Sequence, residues 1–505
     1  MKKNIIWLLA AILSCGLMLT ACSSNDDFTE PVKPDDEVKM PEVSRDFDKV
    51  ADWMAAAVQK CHPNIRKAWN NDADPADFNL LLANSEKTRI YLINPNTKKE
   101  VPQAEWTDVL KQSLDETTSF AHLPFDGKNC TIILVDFNEF DALKEIKSQY
   151  AGREVTDEDY MFDLLALFYH ESFHAYVQTS LKDWQNGEGE YNRSQSYPID
   201  YNPRIYRKLA LLALRNVWDD NSKKEAQYAR AKYWTNKYEQ AYATEAAGIK
   251  STDIDEATAD YFERNVLHPA FNRYPLINDI NGFELGSMVS IESYLSSIAI
   301  QLAQREGRLN EAIEAFKSQT LTPINFLLQD VAVPAVYDES QDATDIERIR
   351  QATSKNIGDE SPALQPVIQA CEVHKAGEAI YLGVLFVSGS NSNSQGDFVL
   401  TDLPGYGCEA VYSVSTSNYD IQEKTIMTHS EYLLVPIENA DALTLEGLHD
   451  VQDVSSSIGA VAITQEAQVT AVNGVDGFTM KTLPFKVYIG KDSYGNSYYL
   501  CSEKK

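Results

Sequence analysis

Phe47, Val50, Met54, Ala57 and Val58 recur at intervals of three and four, which gathers apolar side chains on one stripe of a helix. This period dominates from Pro41 to about Gln329, and it predicts further helices over 160–179, 203–217, 223–247, 254–266 and 285–305, parted by Gly, Asn and Asp. Two short β-branched runs bounded by turn formers, 89–93 and 131–135, read instead as buried strands. Both precede the 160–179 helix, the order expected if a small sheet lies beside it. Tyr and Trp are frequent in the helical part, and at helical spacing they read as core. The polar segment 184–202, with Gly187, Gly189 and Pro198, reads as a connector.

Around 337–366 the chain turns polar and acidic, and beyond it the period changes from helical to alternating. Strands are predicted at 380–387, 397–400, 432–436, 460–464, 469–472 and 485–489, with turns at Asn473-Gly474 and Tyr494-Gly495-Asn496. The expected class is therefore α+β. A mostly helical domain with a small sheet spans 41–356, and a β-rich domain, an antiparallel sandwich or barrel, spans 357–505. A chain of 505 residues exceeds what one core usually holds, which agrees with such a division.

The first forty residues follow a different logic. Lys2 and Lys3 form a basic start, 5–20 is apolar, and Leu19-Thr20-Ala21-Cys22 closes the run. This resembles a bacterial lipoprotein signal with its lipobox, which implies removal of 1–21 and lipidation of Cys22. A plain signal peptide or a short membrane anchor is the alternative. Residues 22–40, rich in Pro, Asp, Glu and Lys, read as a flexible tether. Asp26 and Asp27 are similar to the acidic export tags of some surface-exposed lipoproteins of Gram-negative bacteria. The resemblance implies an envelope protein held by lipid at the outer membrane, facing outward.

Composition narrows the classes further. Hydrophobic residues at 44% and charged residues at 24% exclude a fibrous or wholly disordered chain. A formal net charge of -30 excludes a nucleic-acid partner, because binding a phosphate backbone requires a concentrated basic footprint. Of the seven cysteines, Cys15 would leave with the signal and Cys22 would carry lipid, and no CxxC pair remains to form a thiolate zinc knot.

The chemistry centres on His170-Glu171-Ser172-Phe173-His174, inside the apolar helical run that includes Leu164, Leu165, Leu167 and Phe168. Histidines four apart lie on one helix face, one turn from each other, so both imidazoles can bind one metal ion. Glu171, turned by about 100° from His170, borders the open side of such an ion. The structural alternative is a pair of core histidines with a buried glutamate facing a cation. An unpaired buried carboxylate would cost several kcal/mol, on the order of the transfer penalty for a charge.

This HExxH helix resembles that of the zincin metallopeptidases, and the resemblance implies Zn²⁺ as cofactor, a zinc-polarised water, Glu171 as general base and a peptide or protein substrate. Spacing alone supports metal-assisted hydrolysis and no more. No histidine follows soon after His174, the next being His268, so the metzincin extension is absent. Glu256-Ala257-Thr258-Ala259-Asp260 looks like the ExxxD element of gluzincins. That likeness implies Glu256 as third ligand and Asp260 as the residue that orients His170 through its other nitrogen. Glu256 could instead close a capping box begun at Asp253, and Glu245 is the reserve ligand. The 82 residues from His174 to Glu256 make the interval longer than in thermolysin-like enzymes. Tyr261, His268 and Tyr294 are candidates for an oxyanion donor, with core packing the commoner role. His62, His122, His374, His429 and His449 read as structural or surface groups. The rival function is a surface lipoprotein that binds peptide or glycan, with a relict, non-catalytic HExxH helix.

Overall fold

The structure, a computed structural model, describes residues 38–505 apart from short stretches, the longest being 180–198, 278–290, 446–458 and 464–484. Cys22, the signal segment, most of the tether, most of the polar connector, the strand expected at 469–472 and the Asn473-Gly474 turn lie outside the described residues. The chain divides into two compact units, one within Met1–Arg193 and Pro203–Ile346, the other within Ser194–Asn202 and Glu347–Lys505.

The first unit is α+β and mostly helical, with one five-stranded sheet. Its strands are β1 (Asn79–Asn84), β2 (Ile90–Asn94), β3 (Thr97–Glu100), β4 (Phe120–Phe125) and β5 (Lys128–Val135), in the order β3-β2-β1-β5-β4. β1 and β5 run parallel and the other pairs antiparallel. The two strands legible from the sequence, β2 and β5, are joined by three that are not. In β1, Leu80 and Leu82 join the main helical core while Leu81 and Ala83 face a smaller core across the sheet. Both faces are covered, so the run reads as continuous apolar sequence without strand alternation.

The helices that matter here are α1 (Phe47–Cys61), α2 (Asp108–Glu116), α3 (Phe137–Ala151) and α4 (Asp157–Phe173), followed by α5 (Asn202–Asp219) and α6 (Lys224–Ala241). After them come α7 (Ala243–Gly248), α8 (Lys250–Ala270), α9 (Ile291–Leu295) and α10 (Ser297–Arg305). α2 covers one sheet face through Leu110 and Leu114. α4 covers the other, where the buried Thr131 of β5 meets Ser172 (2.7 Å between hydroxyls). Around α4 the aromatic rings close the core: Trp53 on Phe162 at 5.2 Å, Trp69 on Phe173 at 5.0 Å, and Phe262 of α8 stacked on Phe173 at 4.6 Å.

α4 starts where its sequence says it should. The Thr156 hydroxyl accepts from the Asp159 amide (3.3 Å), and the Asp159 carboxylate accepts from the Thr156 amide (2.7 Å), a reciprocal cap. Arg153 adds a two-pronged ion pair to Asp159 at 2.8 and 3.0 Å. At its other end the coil widens into a π-helical turn over His174–Gln178.

In the second unit the described strands form a nine-stranded sheet that includes Ile380–Val384, Lys424–Pro436, Gly459–Ile463 and Phe485–Lys491, near four of the predicted runs. Ile380–Val384 pairs in parallel with Ser497–Glu503, a departure from the antiparallel expectation. A helix, Leu364–Lys375, precedes these strands. Asn496, in the turn 494–496, donates to the His374 carbonyl at 2.9 Å, giving that histidine a structural role.

Candidate metal centre

Three side chains from two helices converge. His170 and His174 come from the end of α4, and Glu256 from the second turn of α8. The His170 and His174 Nε2 atoms are 3.0 Å apart. One Glu256 carboxylate oxygen lies 3.2 Å from His170 Nε2, and the other lies 3.6 Å from His174 Nε2. Ligand atoms of all three residues lie within 4.8 Å of one another. Because α8 begins at Lys250, Glu256 is a helix-interior residue and closes no capping box.

Each imidazole is tied back through its other nitrogen, and the ties fix which nitrogen carries hydrogen. Gln178 donates its amide N–H to the Asp255 carbonyl and to Thr258 Oγ1, both at 2.8 Å, so its carbonyl oxygen must face His174. His174 Nδ1 therefore donates to Gln178 Oε1 at 2.6 Å, which in the neutral ring leaves Nε2 with a lone pair. His170 Nδ1 donates to the Glu263 carboxylate at 3.2 Å, leaving its Nε2 in the same state. Two lone pairs 3.0 Å apart beside a carboxylate repel one another, so a proton or a metal ion belongs among them, and the raised proton affinity of both imidazoles reports the same pull. Glu256 Oε1 is buried and makes no hydrogen bond among the described residues. Two imidazoles and a carboxylate are a donor set suited to zinc with a fourth position open, so the residues fit the ion.

The partner of His170 Nδ1 is Glu263, and Asp260 does not fill the role expected for it. Asp260 instead accepts from Arg264 Nε at 2.9 Å and from Ser297 Oγ at 2.5 Å. Positions 256, 260 and 263 all project from one side of α8, within about 60° of arc, since four and seven residues are close to whole turns. The longer glutamate reaches the imidazole, while the shorter aspartate is drawn to an arginine one turn on. The sequence holds the signal, a glutamate seven residues after the ligand, but ExxxD is the spacing to which the resemblance points. Glu245 lies elsewhere: it pairs with Arg204 and accepts from the Tyr238 hydroxyl at 2.9 Å.

Charge in this pocket is one-sided. Glu171, Glu256 and Glu263 are all buried, three carboxyls beside two imidazoles that are neutral as ligands. Burial pushes the Glu171 carboxyl up to about 7, against the pull of His174 and His170. Burial also opposes ionisation of Glu256, but His174 and His170 outweigh it and hold that carboxyl down to about 2. Burial lowers proton affinity at His170, yet Glu256 and Glu263 reverse this and raise it well above the ordinary imidazole range. Among the described residues only burial and neighbouring charges, and no hydrogen bond, act on the Glu171 carboxylate, which leaves it available to a reactant.

Of the three donor candidates, Tyr294 of α9 stands beside the site, its ring stacked on His170 with centroids 5.4 Å apart. Tyr261 packs on Trp69 in the core, and His268 donates to the Tyr274 carbonyl at 2.5 Å. His122, read from the sequence as structural, lies on β4 near enough to His174 to feel its charge. Comparison of the chain with protein-family models, with curated proteins and with solved structures finds no match.

Proposed function

We propose that this chain is a zinc-dependent hydrolase of peptides, with His170, His174 and Glu256 as the protein ligands and Glu171 as general base. The observation that carries the proposal is the convergence of two imidazole lone pairs and a buried carboxylate, each imidazole held in the ligand tautomer by its own partner. When bound, zinc supplies Lewis acidity toward a carbonyl and acidifies water.

The chain's own residues supply the rest. Glu171, buried and without a hydrogen-bond partner among the described residues, is placed to take a proton from water and return it to the leaving nitrogen. A carboxyl pushed up to about 7 by burial can serve in both directions near neutral pH. Tyr294, stacked on His170, is the donor candidate for charge developing on the scissile carbonyl.

Peptide is the substrate class that suits the sheet. β4 is one of the two edge strands, and its bonding to β5 alternates from the Leu134 amide to the Ser119 carbonyl at 2.7 Å. Phe120 and His122 therefore occupy non-hydrogen-bonded pairs and turn their main-chain groups outward, where the Phe120 carbonyl accepts from the Thr117 hydroxyl at 2.7 Å and the groups of His122 face the side on which a strand can add. An extended chain can add to such an edge as a further strand. Pro124, without an N–H, ends that run. The reading includes a lipid anchor at Cys22, an outer-membrane location and an all-β C-terminal domain that contacts substrate or other envelope components. Support for the anchor and the location is the lipobox alone.

The test is zinc stoichiometry of the purified full chain by mass spectrometry, with hydrolysis of a random peptide library. One zinc per chain and cleavage abolished by Glu171→Gln are the expected results. A protein without stoichiometric zinc, or with cleavage that survives Glu171→Gln, overturns the proposal and favours the binding-protein alternative.

A further inference from the structure

Ser172, the third residue of the motif, takes no part in that chemistry, yet it is wholly buried and its hydroxyl meets Thr131 Oγ1 at 2.7 Å. Thr131, equally buried, also lies 3.3 Å from His122 Nδ1. His122 and Thr131 are directly opposed across β4 and β5, so both side chains stand on the sheet face that α4 covers. The His122 ring is edge-on to Tyr176 at 5.7 Å, two residues beyond His174, and Tyr176 is anchored through its hydroxyl to the Cys130 carbonyl at 2.5 Å. A third imidazole thus stands on the edge strand beside the turn that follows His174, half-buried, with its Nε2 outside any hydrogen bond among the described residues.

The hydroxyls decide where its proton sits. If His122 Nδ1 donated to Thr131, a hydroxyl hydrogen of Thr131 or Ser172 would need another acceptor, and the Tyr176 hydroxyl oxygen is the one beside Thr131. The three groups satisfy one another without drawing on Tyr176 when Ser172 donates to Thr131 and Thr131 donates to His122 Nδ1. The hydrogen of the neutral ring is then on Nε2, pointing away from the sheet interior. Burial and the nearby His174 push the His122 pKa down to about 3, so the ring stays neutral.

We infer that His122 is a substrate-binding residue of this site, whose Nε2–H, set by the Ser172–Thr131 hydroxyl chain, donates to a carbonyl oxygen of the peptide beside the scissile bond. The inference rests on the peptidase reading above. A peptide paired along β4 passes the His122 ring, and that ring packs on Tyr176, two residues beyond His174. The serine inside the motif thereby acquires a role: it orients a histidine on a neighbouring strand rather than the metal.

The test uses the zinc-loaded full chain and a quenched fluorescent peptide that the wild type cleaves. His122→Ala is expected to lower kcat/KM about 3- to 10-fold, the worth of one neutral hydrogen bond, with zinc content and Tm unchanged. His122→Gln, which keeps an N–H of similar reach, recovers part of the loss, and Thr131→Val lowers kcat/KM severalfold, on the order of a misassigned tautomer. Histidine-selective ¹⁵N spectra supply a readout independent of turnover, expected to show the Nε2–H tautomer at His122 in the wild type. If His122→Ala fails to fold, His122→Gln and the tautomer carry the test. Wild-type rates in His122→Ala, or an Nδ1–H tautomer, overturn this inference and leave the peptidase reading standing. A zinc-loaded wild type that cleaves no peptide overturns the peptidase reading and this inference with it.

Discussion

Glu263 accepts a hydrogen bond from His170 Nδ1 at 3.2 Å, two helical turns beyond the carboxylate that faces the same ring's Nε2. One imidazole is thus clasped between two glutamates of a single helix. Glu256 meets the nitrogen that would bind metal, and Glu263 meets the nitrogen that must carry hydrogen for the first to have a lone pair. The Tyr274 hydroxyl donates to the other Glu263 oxygen at 3.2 Å and holds the carboxylate in place.

Glu263→Ala is therefore expected to weaken zinc binding about 10- to 100-fold, the usual effect of removing the partner that orients a ligand histidine. Asp260→Ala should leave zinc affinity near wild type. It strands the wholly buried Arg264 without its 2.9 Å carboxylate, and lowers stability by about 3–5 kcal/mol, the cost of breaking a buried ion pair. Competition with a chromophoric chelator reads the first effect and urea denaturation the second. The reverse pattern would return the orienting role to Asp260.

What the sequence allowed and withheld at this site has a physical basis. His170, Glu171 and His174 were legible because helical spacing alone brings i and i+4 together. Glu256 came through resemblance, and the structure brings its carboxylate to both imidazoles. Glu263 and His122 were hidden because their roles depend on how α8 and β4 pack on α4, and packing leaves no local period. β4 itself was missed: Phe120-Ala121-His122-Leu123-Pro124-Phe125 mixes a histidine and a proline into an edge strand, where both are tolerated. The long amphipathic helices α1 and α5 needed no such context, and their spans follow from three-and-four spacing.

Gln178 offers a second test of how the imidazoles are held. Its amide bridges His174 Nδ1 to the Asp255 carbonyl and Thr258 hydroxyl of α8, one turn from Glu256. Gln178→Ala frees the His174 ring to rotate and is expected to weaken zinc binding by about tenfold, the scale of losing an orienting partner. Gln178→Glu keeps an acceptor for Nδ1 but loses the N–H that joins α8, so an intermediate affinity is expected. A cobalt-substituted protein reports the same change through its ligand-field spectrum. Unaltered affinity and spectrum in Gln178→Ala would show that the π-helical turn holds His174 unaided.

The start of α4 predicts a pH dependence. Burial works against the Asp159 carboxylate, but Arg153 and the Thr156 amide and hydroxyl outweigh it and hold its pKa below the ordinary aspartate value. A depressed folded-state pKa means the stabilisation is present above the unfolded value, about 3.9, and is lost as pH falls through the folded one. Asp159→Ala should then cost about 1–2 kcal/mol near pH 7, a cap plus a partly exposed ion pair. The gap between mutant and wild type should narrow as pH falls below about 4. Urea midpoints followed by tryptophan fluorescence at pH 7 and pH 3 measure it. A gap that is constant or widens in acid would mean that Asp159 acts through packing rather than charge.

Ligand choice is decided by Glu256 against Glu245. Glu256 is wholly buried between both imidazoles, so Glu256→Ala removes the one negative donor of the set and should reduce zinc affinity by at least about 100-fold, beyond the range of an orienting partner. Glu245 sits with Arg204 and Tyr238 in an ion cluster of α5, α6 and α7, where Glu292 also pairs with Arg204 at 3.3 Å. Glu245→Ala should therefore leave zinc affinity unchanged and lower stability by about 1–3 kcal/mol, because Arg204 keeps one carboxylate partner. Isothermal titration of the metal-free chain with zinc, alongside denaturation of both variants, separates the two effects. Retained affinity in Glu256→Ala would remove it from the ligand set, and a loss in Glu245→Ala would require α7 to move toward His170 when zinc binds.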